Sequence, residues 1–313
     1  MIPFTQHKKL NIDKFNLYLQ EANSTNQFTN YGYAVRLLEQ RAKEMLLIDD
    51  SKAVVATCNG AAALNAIIAS IISNKPVFSQ DFTFPCNFQI PDVDTISFDM
   101  TDDYEPDITS VTEPGILIIT NCFGHVTDID KILTHADKYN QEIIFDNAAA
   151  PYSFYKGSNI SNYGIASYIS LHHTKPIGFG EGGLVIIDKE YEELVRSIIN
   201  FGMIDRKPTY KGSNYKMSEL AAAGILQWWD SFNINELRDS YLLAYKKYLR
   251  YTEVTLPNYS DNFFPNCLPA IKHEITTTEL DVRKYYRPYI GLSNSTKLFN
   301  SIECIPITEY LDA

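Results

Sequence analysis

Apolar positions along the chain keep two rhythms. From Leu38 to Leu47, LLEQRAKEML repeats its apolar residues at helical spacing, and the run AVVAT that follows reads as a short strand ending at Cys58-Asn59-Gly60. Residues 61–72 are rich in alanine and apolar almost all round, the pattern of a helix buried on a sheet. Strand-like runs recur at PVFS, TISFDM, GILIIT and EIIFD, separated by stretches long enough for helices, such as DIDKILTHADKYN. After LVIID come helical patterns over 190–201 and 218–232, and a longer one over 235–250. This alternation predicts an α/β fold with a mostly parallel sheet covered by helices on both faces. Ligands in such folds gather at the carboxyl ends of the strands. The remaining residues, 251–313, are a mixture punctuated by Pro and Asn, so the expected division is a large domain over 1–234 and a smaller α+β domain over 235–313.

The 313 residues carry a formal charge of −11, which argues against a basic nucleic-acid binder. Cys58, Cys86, Cys122, Cys267 and Cys304 are odd in number and include no C-x-x-C pair, so neither a disulfide framework nor a zinc site is expected. MIPFTQHKKLNIDKF lacks the charged lead and apolar stretch of a secretory leader. The longest apolar run, Gly60 to Ile72, is interrupted by Asn65 and is too short for a bilayer. The expectation is a cytoplasmic protein with no membrane anchor.

Four local features fall where strands end. Asn59-Gly60-Ala61-Ala62-Ala63 is a strand-to-helix turn whose small residues let backbone N–H groups approach an anion; the alternative is simply a closely packed helix start. Phe82-Thr83-Phe84-Pro85 puts aromatics on a loop, suited to stacking on a flat heteroaromatic ring or to a place in the core. Asp146 closes EIIFD, where a carboxylate can hold a pyridine nitrogen protonated or cap the next segment. Ser170-Leu171-His172-His173-Thr174-Lys175 is closed by Gly178-Phe179-Gly180-Glu181-Gly182-Gly183. A lysine among small and apolar neighbours suits a Schiff base, which needs the amine unprotonated. The two adjacent histidines diverge and do not easily share an ion, so no metal is expected.

The order of these features resembles fold-type I pyridoxal-phosphate enzymes. More narrowly, it resembles the DegT/DnrJ/EryC1/StrS family of aminotransferases, which mostly act on keto groups of nucleotide-linked sugars. The matching segments are FTNYGYAVRLLE (28–39), CNGAAALNA (58–66), FTFPCN (82–87), NCFGHVTDIDKI (121–132), FDNAAAP (145–151), SLHHTKPIGFGEGG (170–183) and GSNYKMSELAAAGILQ (212–227). The resemblance implies pyridoxal 5'-phosphate as cofactor. It makes Lys175 the internal-aldimine lysine and proton shuttle, and Asp146 the partner of the pyridine nitrogen. Phe84 would stack on the ring, and the turn at Gly60, Ala61 and Ala62, with Ser170, would bind the phosphate. Asn214 would reach the phosphate of a neighbouring subunit's cofactor, which implies a homodimer with shared active sites. Tyr31, Arg283, Tyr285 and Tyr286 are candidates for contacting the sugar nucleotide, since cations suit a diphosphate and aromatics a sugar or base. A solvated basic edge is the alternative for the last three.

Three departures from the family pattern stand out. Ala149 occupies the position near the cofactor's ring where the family commonly has Gln or His. Ala61 stands where a Thr hydroxyl is common. The region after Arg250 is abbreviated. The implied activity is transfer of an amino group from an amino acid, L-glutamate in the family's usual cycle, to the keto group of a nucleotide-linked deoxy-sugar. The alternatives are a keto-cyclitol or other small ketone as acceptor, and a catalytically silent homologue that serves as a binding subunit. Lys175 also separates this chain from family members that dehydrate, which carry His at that position.

Overall fold

The computed structural model describes residues 2–71, 75–253, 256–273 and 280–308. The last residue of the helix expected over 61–72 and parts of the 251–313 tail lie outside them. The principal strands are β1 (Lys52–Thr57), β2 (Val77–Gln80), β3 (Thr95–Phe98), β4 (Gly115–Thr120), β5 (Gln141–Asp146), β6 (Ala166–Ser170) and β7 (Gly183–Asp188). The helices are α1 (Ile12–Tyr18), α2 (Gln20–Thr25), α3 (Tyr33–Met45), α4 (Gly60–Ile71), α5 (Ile129–Tyr139), α6 (Glu192–Ile198), α7 (Glu219–Trp229), α8 (Ile234–Leu249) and α9 (Ser293–Ser301). The strands make the mostly parallel sheet that the sequence predicts, with β7 as the strand that runs antiparallel to both β1 and β6.

Contacts divide the chain into two compact units. One comprises Met1–His7, Asn74–Gly164 and Asn235–Ala313; the other comprises Lys8–Ser73 and Ile165–Ile234. This partition groups residues 74–164 with the tail, unlike a division into 1–234 and 235–313.

In the unit containing Lys8–Ser73, β7 lies between β1 and β6, with Gly183 opposite Thr57 on one side and Ser170 on the other. Helix α4 packs on this layer through Ala62, Ala63, Leu64, Ala66, Ile67 and Ile68, all buried. At roughly 1.5–3 kcal/mol for each fully buried large aliphatic side chain, this face is a main stabilising element of the unit. The residues 171–182 join β6 to β7 as a long hairpin, so no crossover helix intervenes and the pair must be antiparallel.

Helix α3 starts at Tyr33, earlier than the apolar rhythm alone suggests. Glu219 of α7 accepts the Ala34 N–H at 2.7 Å and so caps α3 from outside its own sequence. Ser218 caps α7 locally, its Oγ accepting from Ala221 N at 3.2 Å. The helix expected over 190–201 stops at Ile198 because Phe201 and Gly202 turn to positive φ, 59° and 68°, and lead into the hairpin of Met203–Ile204 with Lys207–Pro208.

In the other unit, β2 pairs in parallel with both β3 and β4, and β4 with β5, so Thr120 lies opposite Asp146. Helix α5 is capped by Asp128, whose carboxylate accepts from Lys131 N at 3.2 Å, and it ends at Asn140 in the left-handed region. An aromatic and sulfur-rich cluster of Phe4, Phe82, Cys122, Phe123, Tyr286 and Leu298 forms part of the core.

Candidate active site

In the unit of β1, β6 and β7, three strands bring Thr57, Gly183 and Ser170 side by side at one end of the layer. The chain leaves β1 through Asn59 into α4. Asn59 Oδ1 accepts the Ala62 N–H at 2.8 Å, a helix N-cap. The N–H groups of Gly60 and Ala61 have no acceptor among the described residues. Of the two alanines expected at a phosphate, Ala61 therefore keeps its donor, and that of Ala62 is already used. Gly60 lies against Ser170: a Cβ on Gly60 would fall 3.3 Å from Ser170 Cβ and 3.7 Å from its Oγ. Gly183 closes the other side, where a Cβ would lie 2.4 Å from the Asn59 carbonyl carbon and 2.7 Å from Gly60 N. Two N–H groups at a helix start, next to a serine hydroxyl and with no side chain in the way, form a cradle suited to an anion.

Beyond Ser170 the hairpin continues the ladder, with Leu171 N donating to Gly182 O and His173 N to Gly180 O, both at 2.8 Å. Inside it a tight turn carries Lys175, whose N–H donates to His172 O at 2.8 Å and whose carbonyl accepts from Gly178 N at 2.9 Å. A Cβ on Gly178 would sit 2.1 Å from His172 O, so only glycine fits there. Lys175 is half-buried. His172 Nδ1 accepts from Thr174 N at 3.2 Å, and its Nε2 lies 3.5 Å from Glu181.

Tyr31 belongs to the same unit, with φ 67°. Its hydroxyl donates to Glu39, and the Arg196 guanidinium lies 4.5 Å from its ring centroid. Burial raises the Glu39 pKa, while the Arg196 and Tyr31 hydrogen bonds oppose the shift. Tyr31 also lines a cavity of about 210 Å³ with Asn30, Arg196, Asn200 and Lys216. Asn214 is exposed, bridged to Asn200 through its backbone.

In the unit of β2 to β5, Asp146 is 2% exposed at the carboxyl end of β5. Its Oδ2 accepts from Thr120 Oγ1 at 3.2 Å and its Oδ1 from Ala148 N at 3.0 Å. Thr120 Oγ1 in turn pairs with Thr83 Oγ1 at 2.6 Å, and Asn87 Nδ2 donates to Thr83 Oγ1 at 3.0 Å. The sequence reading gave Thr120, Thr83 and Asn87 no role at the site. The signal for Thr120 was a hydroxyl closing the otherwise apolar run GILIIT, one strand away from EIIFD. Phe84 is 54% exposed on its loop, and Ala149 is buried.

Arg283 pairs with Asp281 at 2.7 Å and lies 4.9 Å from the Phe4 ring, against which Tyr285 also packs. Tyr286 is buried, its ring 4.9 Å from that of Phe123 and 5.6 Å from that of Phe82. Tyr286 is therefore a core residue and is withdrawn as a sugar-nucleotide contact: its aromatic area fills the interior. No helix among the described residues is long and apolar enough to cross a membrane.

A sequence profile of the DegT/DnrJ/EryC1/StrS aminotransferase family matches residues 10–263. The dTDP-4-amino-4,6-dideoxy-D-glucose transaminase of Shigella dysenteriae is 28% identical over 230 residues, which are 69% of this chain and 61% of that protein. The chain thus spans less than two thirds of that relative's length. Among solved structures, DesI, crystallised with its TDP-sugar product, superposes with a TM-score of 0.80 at 22% identity, covering 98% of this chain and 87% of that one. PseC of Helicobacter pylori, an aminotransferase involved in the biosynthesis of pseudoaminic acid, gives a TM-score of 0.82 at 15% identity, covering 97% and 93%. At these identities the structural likeness is one of fold.

Proposed function

The chain belongs to the DegT/DnrJ/EryC1/StrS aminotransferase family. From that premise we propose that it is a pyridoxal-phosphate-dependent aminotransferase that moves an amino group from L-glutamate to the keto group of a nucleotide-linked deoxy-sugar. The observation that carries this reading is the hairpin of β6 and β7, which joins Lys175 to the cradle of Gly60, Ala61 and Ser170. When bound, pyridoxal phosphate supplies an electron sink for the negative charge that develops at the donor's α-carbon.

The chain's own residues do the rest. Ser170 Oγ, which accepts from His172 N at 3.3 Å, retains its O–H for a phosphate oxygen, alongside the N–H groups of Gly60 and Ala61. Asp146 holds a proton on the pyridine nitrogen, its carboxylate oriented by the hydrogen bonds from Thr120 and Ala148. Phe84 stacks on the ring. The Lys175 amine would move the proton between the donor's α-carbon and the bound cofactor. Asn214 contributes to the phosphate site of a second subunit in a homodimer. Tyr31, Arg283 and Tyr285 are the remaining candidates for substrate contact, and Arg283, still charged beside Asp281, suits a diphosphate. The names of the relatives support a sugar nucleotide as acceptor.

The test is an absorption spectrum of the purified protein with pyridoxal phosphate, before and after excess L-glutamate, with Lys175→Ala as control. A visible band that moves to the ultraviolet with glutamate, and is absent or altered in the control, is the expected result. Amination of nucleotide keto-sugars followed by mass spectrometry then tests the acceptor. No band in the wild type sinks the proposal at its first step.

A further inference from the structure

Lys8 is a buried lysine, 9% exposed, outside every motif the function uses. Its Nζ donates to three carbonyls of the turn that carries Lys175: His173 O at 2.8 Å, Lys175 O at 2.5 Å and Gly178 O at 2.5 Å. Two further carbonyls of the turn are held as well. Trp228 Nε1 donates to Pro176 O at 3.1 Å and Trp229 Nε1 to Ile177 O at 2.7 Å. Lys8 Nζ itself lies 5.2 Å from the Trp228 ring centroid, so the three donors form one assembly.

An ammonium has three N–H donors and no acceptor, and here it meets three carbonyls. A neutral amine has two donors and would give up one of the three hydrogen bonds. Burial pulls the Lys8 pKa down to about 7, and the three acceptors work in the opposite direction by favouring the charged form. Nothing in the packing of the hairpin requires a lysine at this point, since apolar side chains fill such positions without the desolvation cost. The match of donors to carbonyls is the feature that accounts for it.

We propose that Lys8 is a positioning residue for Lys175, its ammonium binding the carbonyls at 173, 175 and 178 so that the Lys175 amine is held in one place. The importance of that placement for turnover rests on the proposed function; the tie itself does not. A reacting amine displaced by about 1 Å loses much of the benefit of a preorganised approach, on the order of a hundredfold in rate. The role is therefore one that appears in kcat and leaves donor binding alone.

The experiment compares the full-length wild type with Lys8→Met, which keeps the apolar stem and removes every donor, and Lys8→Arg, which restores donors. Hydrogen exchange of the protein without added cofactor is followed on peptides covering 171–182, with peptides from β1 and α5 as references. Lys8→Met is expected to exchange at least tenfold faster in 171–182 with the references unchanged, and Lys8→Arg to recover part of the protection. With pyridoxal phosphate and L-glutamate, Lys8→Met is expected to lose at least tenfold in single-turnover rate with the glutamate KM within twofold of wild type.

Unchanged exchange over 171–182, or a rise shared equally by the references, overturns the inference whatever the protein does with pyridoxal phosphate. A loosened turn with an undiminished rate overturns the positioning role. A wild type that forms no visible band sinks the proposed function instead and leaves the exchange result to decide the tie.

Discussion

Replacing Gly183 with alanine adds one methyl group at the centre of the phosphate cradle. A Cβ there would lie 2.4 Å from both the carbon and the oxygen of the Asn59 carbonyl and 2.7 Å from Gly60 N. Unstrained carbon contacts are about 3.5–4.0 Å, so the overlap is roughly 1 Å, and it falls on backbone that no rotamer change can move. Gly183 is paired with Thr57 and Ser170, so β7 cannot slide without disturbing both ladders, and the Asn59–Gly60 turn gives way instead. Overpacking of this kind costs about 1–3 kcal/mol. At roughly 2 °C per kcal/mol for a chain of this size, Tm falls by about 2–6 °C.

Taking one N–H off a phosphate oxygen removes a hydrogen bond to a charged group, about 1.5–3 kcal/mol, so pyridoxal phosphate binds roughly 10- to 100-fold more weakly. Gly180→Ala is the control: φ there is +67° but no atom lies within 4 Å of an added Cβ. It carries about 1–2 kcal/mol of backbone strain and leaves the cradle alone. Thermal unfolding without ligand and an absorbance titration with pyridoxal phosphate measure the two effects separately. Wild-type affinity and Tm in Gly183→Ala would refute the close approach. Equal loss of affinity in Gly180→Ala would show that the hairpin as a whole, and not the cradle, governs binding.

Two further outcomes are expected. Thr120→Val keeps the shape of the side chain but removes the hydroxyl that donates to Asp146 and pairs with Thr83; kcat should fall about tenfold, or ~1.4 kcal/mol, with the glutamate KM unchanged. An unaltered kcat would mean that Asp146 holds its position without Thr120. His125 is buried, its Nε2 2.9 Å from Tyr245 Oη, and burial takes its pKa from 6.5 down to about 4. Between those values the unfolded chain binds the proton and the folded one does not, so stability is fully present above about 6.5 and is lost as pH falls toward 4. Relative to His125→Gln, the wild type should lose about 2 kcal/mol of its unfolding free energy between pH 7 and pH 5 in urea titrations, and a constant difference would rule the mechanism out.

Asn59-Gly60, Asp146 and the Ser170–Lys175 segment were legible because each stands at the break between an apolar strand and a polar or glycine-rich turn, a local signal. The same holds for α4, α7 and the strands of the parallel sheet. Tyr286 was misjudged because sequence places a Tyr beside Arg283 and Lys284 without saying which side of the chain faces the interior. Strand β6 and the antiparallel hairpin went unread because ASYIS is short and its partner is found only across the ladder to β7.

Sequence by itself determined the α/β class, the order of the chemical groups and the family resemblance, since these depend on periodicity and on residues close together in the chain. Tertiary structure alone decided three things: that Gly183 must lack a side chain, that Thr120 and Thr83 support Asp146, and that Lys8 ties down the Lys175 turn. Each depends on groups 26 to 170 residues apart, or on a backbone approach whose distance no local pattern encodes. Side-chain direction and strand register fix such contacts, and both are set only when the layers pack.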